Sequence, residues 1–178
     1  MTLGRDDAVA LTYSGFALGR VLGEYDDGIA LLDRALELDP HLAAGWHFGG
    51  ALRAFKGESD EAIARLDRAM RLSPRDPRLD VMMAAIGYAH FAAGRYDEAV
   101  KWSERSIREN GTFLPPYRQA ALSHALAGRI DEARRAIARV LAVDPDCRLN
   151  NVRGSLPQLR ADLVAKQLEG LRLAGLPE

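Results

Sequence analysis

The stretch AAGWHFGGALRAFKGESDEAIARLDRAMRLSP, residues 43–74, decides the fold. On either side of Gly57, small and apolar residues return at intervals of three and four, the signature of one helix face. The spacing predicts two helices, from about His41 to Phe55 and from about Ser59 to Leu72, with Gly57 in the turn between them. Gly50 and Ala62 are small where the helices must cross, because larger side chains would push the axes beyond the roughly 8–10 Å of packed helices. Ala62, Ile63, Leu66 and Ala69 share one face of the second helix, which is therefore expected to be core.

The same pattern recurs before and after this stretch. Gly23, Gly94 and Gly128 correspond to Gly57, then Gly28, Ala99 and Ala133 to Ala62, and Pro40 and Pro145 to Pro74. Four windows result, approximately 9–40, 43–74, 80–111 and 114–145, with the linker RDPRL absorbing a slip in register before the third. In the first window, helices are expected from about Asp7 to Leu22 and from about Asp26 to Leu38. Gly15, Gly19 and Gly28 lie inside them, each costing about 1 kcal/mol relative to alanine, so this end is expected to be the least stable and to fray. Gly111 replaces the closing proline of the third window and is expected to end its helix at positive φ. Pro115 and Pro116 suit the first turn of the next helix, expected to begin near Pro116. From Asp146 the period is lost. CRLNNVRGSLP fits one short helical turn, and Gln158 to Ala174 reads as an amphipathic helix that buries Leu159, Leu163, Val164, Leu168 and Leu171 as a cap on the last window.

A helix-turn-helix unit with a period of about 34 residues, carrying Trp46, Gly49, Gly50, Gly57, Ala62, Leu66, Ala69 and Pro74 at these spacings, resembles the tetratricopeptide repeat, TPR. The resemblance implies an all-α protein: an α-solenoid of about four TPR repeats with a C-terminal capping segment, 146–178, forming one TPR domain over 1–178. It also implies a concave groove lined by the first helix of each repeat, with Tyr13, Arg20, His47, Ala51, Phe55, Tyr88, Phe91, Arg118 and Leu122 among its residues. Aromatic anchors with few charges suit an amphipathic helix or an extended apolar peptide. TPRs that clamp chaperone C-termini carry Lys and Asn where this chain has Tyr13 and Ala17, then His47 and Ala51, so a two-carboxylate clamp is not expected.

Composition narrows the function classes. In 178 residues, 24 Lys and Arg balance 25 Asp and Glu, leaving a formal charge of −1 and no bulk field for nucleic acid or an anionic membrane. Arg34, Arg68, Arg105 and Arg139 occupy equivalent positions and would line up in a stack, but Asp33, Asp67 and Glu104 sit beside three of them, so a solvated convex face is expected. The acidic start MTLGRDDAVAL does not fit a secretory leader, no apolar run reaches membrane-span length, and a cytoplasmic location is expected. Cys147 is the single cysteine, so no disulfide framework exists. The acidic pairs Asp26 and Asp27, Asp60 and Glu61, Asp97 and Glu98, and Asp131 and Glu132 recur at helix starts, where they are expected to cap N–H groups and complement the helix dipole, not to act as acid–base dyads. His90 and His124 hold equivalent places in successive repeats, too far apart to share a zinc ion with bonds of about 2 Å. No cofactor loop or nucleophile motif appears, so neither catalysis, cofactor nor metal is expected.

The closing run GLRLAGLPE, with DPDCRL after the last repeat and AIARLDRAMRLSPRDP in the second, resembles the C-terminal TPR region of bacterial class III adenylate/guanylate cyclase proteins. Similar tails follow TolB-type and winged-helix regulators. The resemblance implies the regulatory or scaffolding part of a signalling protein, with protein or peptide as partner. Self-association into a homodimer is the alternative expectation, and a helical-repeat nucleic-acid binder a third.

Overall fold

The computed structural model describes residues 7–155 and 160–178, which form helices and connecting turns without a β-strand among them. The helices are α1 (Ala8–Ala17, continued by a π-helical turn, Leu18–Leu22), α2 (Tyr25–Leu38), α3 (Ala43–Lys56), α4 (Ser59–Leu72), α5 (Leu79–Ala92) and α6 (Tyr96–Glu109). They continue with α7 (Pro115–Leu126), α8 (Ile130–Val143), α9 (Leu149–Ser155) and α10 (Ala161–Leu173). Successive pairs α1/α2, α3/α4, α5/α6 and α7/α8 pack as antiparallel hairpins, and each hairpin stacks on the next. This is the expected solenoid, its inner wall built from α1, α3, α5 and α7.

The turn glycines have one physical task. Gly23, Gly57, Gly94 and Gly128 all adopt φ between 75° and 83°, the left-handed conformation that lets a chain reverse tightly between two helices. Gly111 does not follow the sequence expectation. It lacks positive φ, and α6 ends instead at Asn110 in an extended conformation, φ −144° and ψ 98°. Asn110 then serves the turn through its side chain, accepting from the Thr112 N–H at 3.1 Å and donating to Asp80 at 2.8 Å.

Small residues at the crossings do what their size predicts. A Cβ on Gly50 would lie 3.0 Å from the Ala62 carbonyl oxygen and 2.8 Å from Leu66 Cγ. The glycines of the first repeat obey the same rule, a purpose the propensity argument did not reveal. A Cβ on Gly28 would stand 2.5 Å from the Gly15 oxygen, and one on Gly19 2.6 Å from a Leu52 methyl. Their low helix propensity accompanies a close backbone approach that alanine would prevent.

The acidic pairs begin α2, α4, α6 and α8, but none of these helices has a side-chain cap hydrogen bond. The capping expectation is corrected here. The acids complement the dipole, and the first of three pairs also reaches the next repeat: Asp26 bonds Lys56, Asp60 bonds Arg95 at 2.7 Å and Asp97 bonds Arg129 at 2.6 Å. The equivalent histidines support this ladder, because His90 and His124 accept hydrogen bonds at Nδ1 from Arg95 at 3.1 Å and Arg129 at 3.0 Å. Burial, with the neighbouring guanidinium, lowers the pKa of each imidazole and so favours the neutral acceptor. On the outer face, Arg139 pairs with Glu104, Arg34 with Glu37, and Arg105 lies over Trp102. Asp33 turns inward to join Arg53 and Arg65, both at 2.7 Å, and ties α2 to α3 and α4.

The capping segment departs most from expectation. α9 makes about two turns, and α10 runs from Ala161, whereas Gln158 and Leu159 lie outside the described residues. The end of the segment does close the stack: Leu171, Ala174 and Leu176 join the core of Ala133, Ile137, Val140 and Cys147, and the Leu149 N–H donates to the Pro177 oxygen at 2.8 Å. The rest of α10 folds back along the inner wall. Gly170 sits against Leu122 of α7, Gln167 donates to the Tyr88 hydroxyl of α5 at 3.3 Å, Lys166 reaches over Tyr96 and Leu163 approaches Gly57. The buried face is Leu163, Gln167, Gly170 and Leu171, with Val164 and Leu168 only half-buried.

Candidate functional site: a walled concave cavity

Between the inner wall and α10 remains a cavity of about 420 Å³, within the roughly 300–1,000 Å³ of ligand pockets. All four repeats contribute to it. α1 and its continuation supply Phe16 and Arg20; α3 supplies His47, Phe48, Ala51 and Phe55; α5 supplies Tyr88 beside Val81 and Ala84. α7 and the loop before it add Phe113, Arg118, Gln119 and Leu122, and the facing wall is Val152, Gln167 and Leu171.

Most of the groove residues expected from the sequence thus converge: Arg20, His47, Ala51, Phe55, Tyr88, Arg118 and Leu122 all line this space. Two do not. Phe91 is 0% exposed, packed beside Tyr88 and Tyr96 in the core, so it is a structural anchor and presents nothing to a partner. Tyr13 is 53% exposed and meets Phe48 edge-on at 5.5 Å, outside the cavity. Phe48, Arg78, Phe113 and Gln167 were not legible as site residues. Arg78 belongs to what reads as a spacer, and Gln167 arrives from a helix whose docking place no local pattern encodes.

The lining is aromatic in blocks. Phe16 stacks on Phe48 at 4.2 Å, Arg78 lies over Phe48 at 5.3 Å and Arg20 over Phe55 at 5.8 Å. Phe55 meets Tyr88 edge-on at 5.4 Å. Such contacts hold guanidinium groups against apolar surface while leaving their N–H donors available. Burial pushes the Tyr88 phenol well above its usual range, so it stays protonated.

His47 is the unusual polar member. It is 3% exposed, and its Nδ1 has no hydrogen-bond partner. Burial first, and then the Arg78 charge, lower its pKa from 6.5 to about 4. Because the unfolded chain binds this proton more readily, His47 contributes its full stability above pH 6.5 and loses it as the pH falls toward 4. Urea unfolding at pH 7 and pH 5 is expected to show a loss from this residue of about 2 kcal/mol. A His47→Gln variant is expected to lack that part of the loss; an equal pH dependence in both proteins would contradict the assignment.

Similarity to known proteins agrees with this architecture. The tetratricopeptide repeat family matches residues 20–77 and 50–112, together more than half of the chain. The chain is a TPR protein. No curated protein sequence matches it significantly. Among solved structures, the TPR chain is similar to residues 41-end of MamA from Desulfovibrio magneticus RS-1, with a TM-score of 0.69, 16% identity, and 79% of this chain and 77% of that one covered. It is also similar to YrrB, described as a TPR protein with an unusual peptide-binding site, at TM-score 0.63, 21% identity and 96% and 86% coverage. PilW, a type IV pilus biogenesis factor, matches at TM-score 0.76, 18% identity and 95% and 74% coverage. At these identities the likeness is one of fold. Among the described residues no helix is long and apolar enough to cross a membrane, and no group of three or more His, Cys, Asp and Glu is placed to hold a metal ion.

Proposed function

We propose that this TPR protein is a non-catalytic protein-interaction module that captures an extended peptide segment in the cavity between its inner wall and α10. The observation that carries the reading is the convergence of aromatic and small residues from four repeats on one open space of about 420 Å³. With α10 forming one side of the cavity, the ligand is read as an extended segment of a few residues lying between α10 and the inner wall. YrrB, whose structure is described by its peptide-binding site, shares the fold and supports the same class of ligand. The residues that suggest a cyclase-linked tail have a packing role of their own, since Leu171, Ala174 and Leu176 are core. The scaffolding role is accordingly proposed without a particular effector domain.

Peptides selected from a random display library on the full chain provide the test. Ala51→Glu places a carboxylate in the cavity wall and is expected to weaken a selected peptide by at least about tenfold, while Glu169→Ala on the outer side of α10 leaves binding unchanged. Thermal unfolding of both variants establishes that the fold persists. Binding insensitive to Ala51→Glu in a folded protein would place the ligand elsewhere.

A further inference from the structure

The charge inside the cavity differs in kind from that of the chain around it. The protein as a whole is nearly neutral, yet the lining contains Arg20, Arg78 and Arg118 and no carboxylate. Arg78 is balanced nearby, its Nε lying 3.4 Å from Asp76. Arg20 and Arg118 are not: Arg20 touches the Phe55 ring face, and neither forms an ion pair among the described residues. Other arginines that are at least partly buried, Arg53, Arg65, Arg95 and Arg129, each reach an acid, whereas exposed ones such as Arg68, Arg71 and Arg75 do not among the described residues. The cavity also holds the His47 imidazole, nearly fully buried and with its Nδ1 unused. Buried polar atoms without partners are uncommon in folded proteins, because leaving one unsatisfied is costly. Unpaired guanidinium groups set among phenylalanines form a surface whose complement is a negative charge carried on an apolar strand.

We propose that the cavity recognises an acidic side chain inside an extended apolar segment, with one of its two unpaired guanidinium groups, Arg20 or Arg118, pairing with the carboxylate and the aromatic lining holding its neighbours. The inference rests on the groove reading above and names the chemistry of its ligand. Because the chain as a whole carries a formal charge of only −1 and its acids lie outside the cavity lining, the preference is local to the cavity and depends on where the acid stands among apolar residues, not on the total charge of the partner.

The probes are pentapeptides blocked at both ends: leucine, phenylalanine, glutamate, phenylalanine, leucine, and the same peptide with glutamine at its centre. A third peptide has glutamine at the centre and a free C-terminal carboxylate. Calorimetric titration of the full chain is expected to show the glutamate peptide binding at least about tenfold tighter than the blocked glutamine peptide. That preference is expected to shrink in whichever of Arg118→Gln and Arg20→Gln removes the pairing cation, and to shrink with added salt. Both arginines are partly exposed, so these variants are expected to fold, and thermal unfolding checks it. Equal binding of the two blocked peptides, both lost in Ala51→Glu, would overturn the acidic preference and leave the groove as the site. Binding that ignores Ala51→Glu would overturn the groove reading itself. Binding of the free-terminus peptide alone, or of none of the three, would overturn the inference.

Discussion

Phe91→Ala is expected to lower the unfolding free energy by about 3–5 kcal/mol, the usual effect of removing a buried aromatic ring without room for collapse. The ring is fully buried where α5 meets α6, flanked by Tyr88 and Tyr96, in the same cluster as Ala99, Ala125 and Leu171. Its loss opens a void beneath the cavity floor, so peptide binding is expected to weaken together with stability. Tyr13→Ala provides the contrast. That ring is half exposed, and its removal is expected to change stability by about 1 kcal/mol or less. Urea unfolding with unchanged m-values decides the comparison; a loss below about 1 kcal/mol for Phe91→Ala would contradict its place in the core.

The second large effect concerns α10. A Cβ on Gly170 would lie 2.9 Å from Leu122 Cβ, 3.0 Å from the Leu122 oxygen and 3.2 Å from its Cα. Two of these atoms are backbone and cannot rotate away, so Gly170→Val must push α10 off α7. The expected destabilisation is about 2–3 kcal/mol from overpacking, accompanied by loss of the Gln167 bond to Tyr88. Glu169→Val, exposed on the preceding residue, introduces the same side chain without the clash, at a small cost in helix propensity, and is expected to stay within about 1 kcal/mol of the parent. Equal stability of the two variants by urea titration would mean that α10 is not seated on the inner wall.

The hairpins were legible because their signals are local and repeated. A turn glycine, small residues at each crossing and apolar positions at helical spacing place α2, α3 and α4 within a residue or two of where they are found. The groove was legible to the extent that repeat geometry fixes which side of each inner helix faces inward. That rule located His47, Ala51, Phe55, Tyr88 and Arg118 but assigned Phe91 to the groove, although its ring turns into the seam with α6. What the sequence hid is long-range. Gln167 and Gly170 read as ordinary residues on an amphipathic helix, and only Tyr88 and Leu122, far away along the chain, give them purpose. Gly15 and Gly28 show the same blindness from the other side. Taken singly they weaken their helices, and only the crossing explains why no larger residue stands there.

Amide chemical-shift mapping tests the central claim most directly, with the labelled full chain titrated by the blocked glutamate peptide. The account predicts perturbations concentrated on α3, α5, α7 and the facing side of α10, around His47, Tyr88, Arg118 and Gln167, with α4, α6 and α8 nearly silent at their outer faces. Perturbations confined to those outer faces would contradict it.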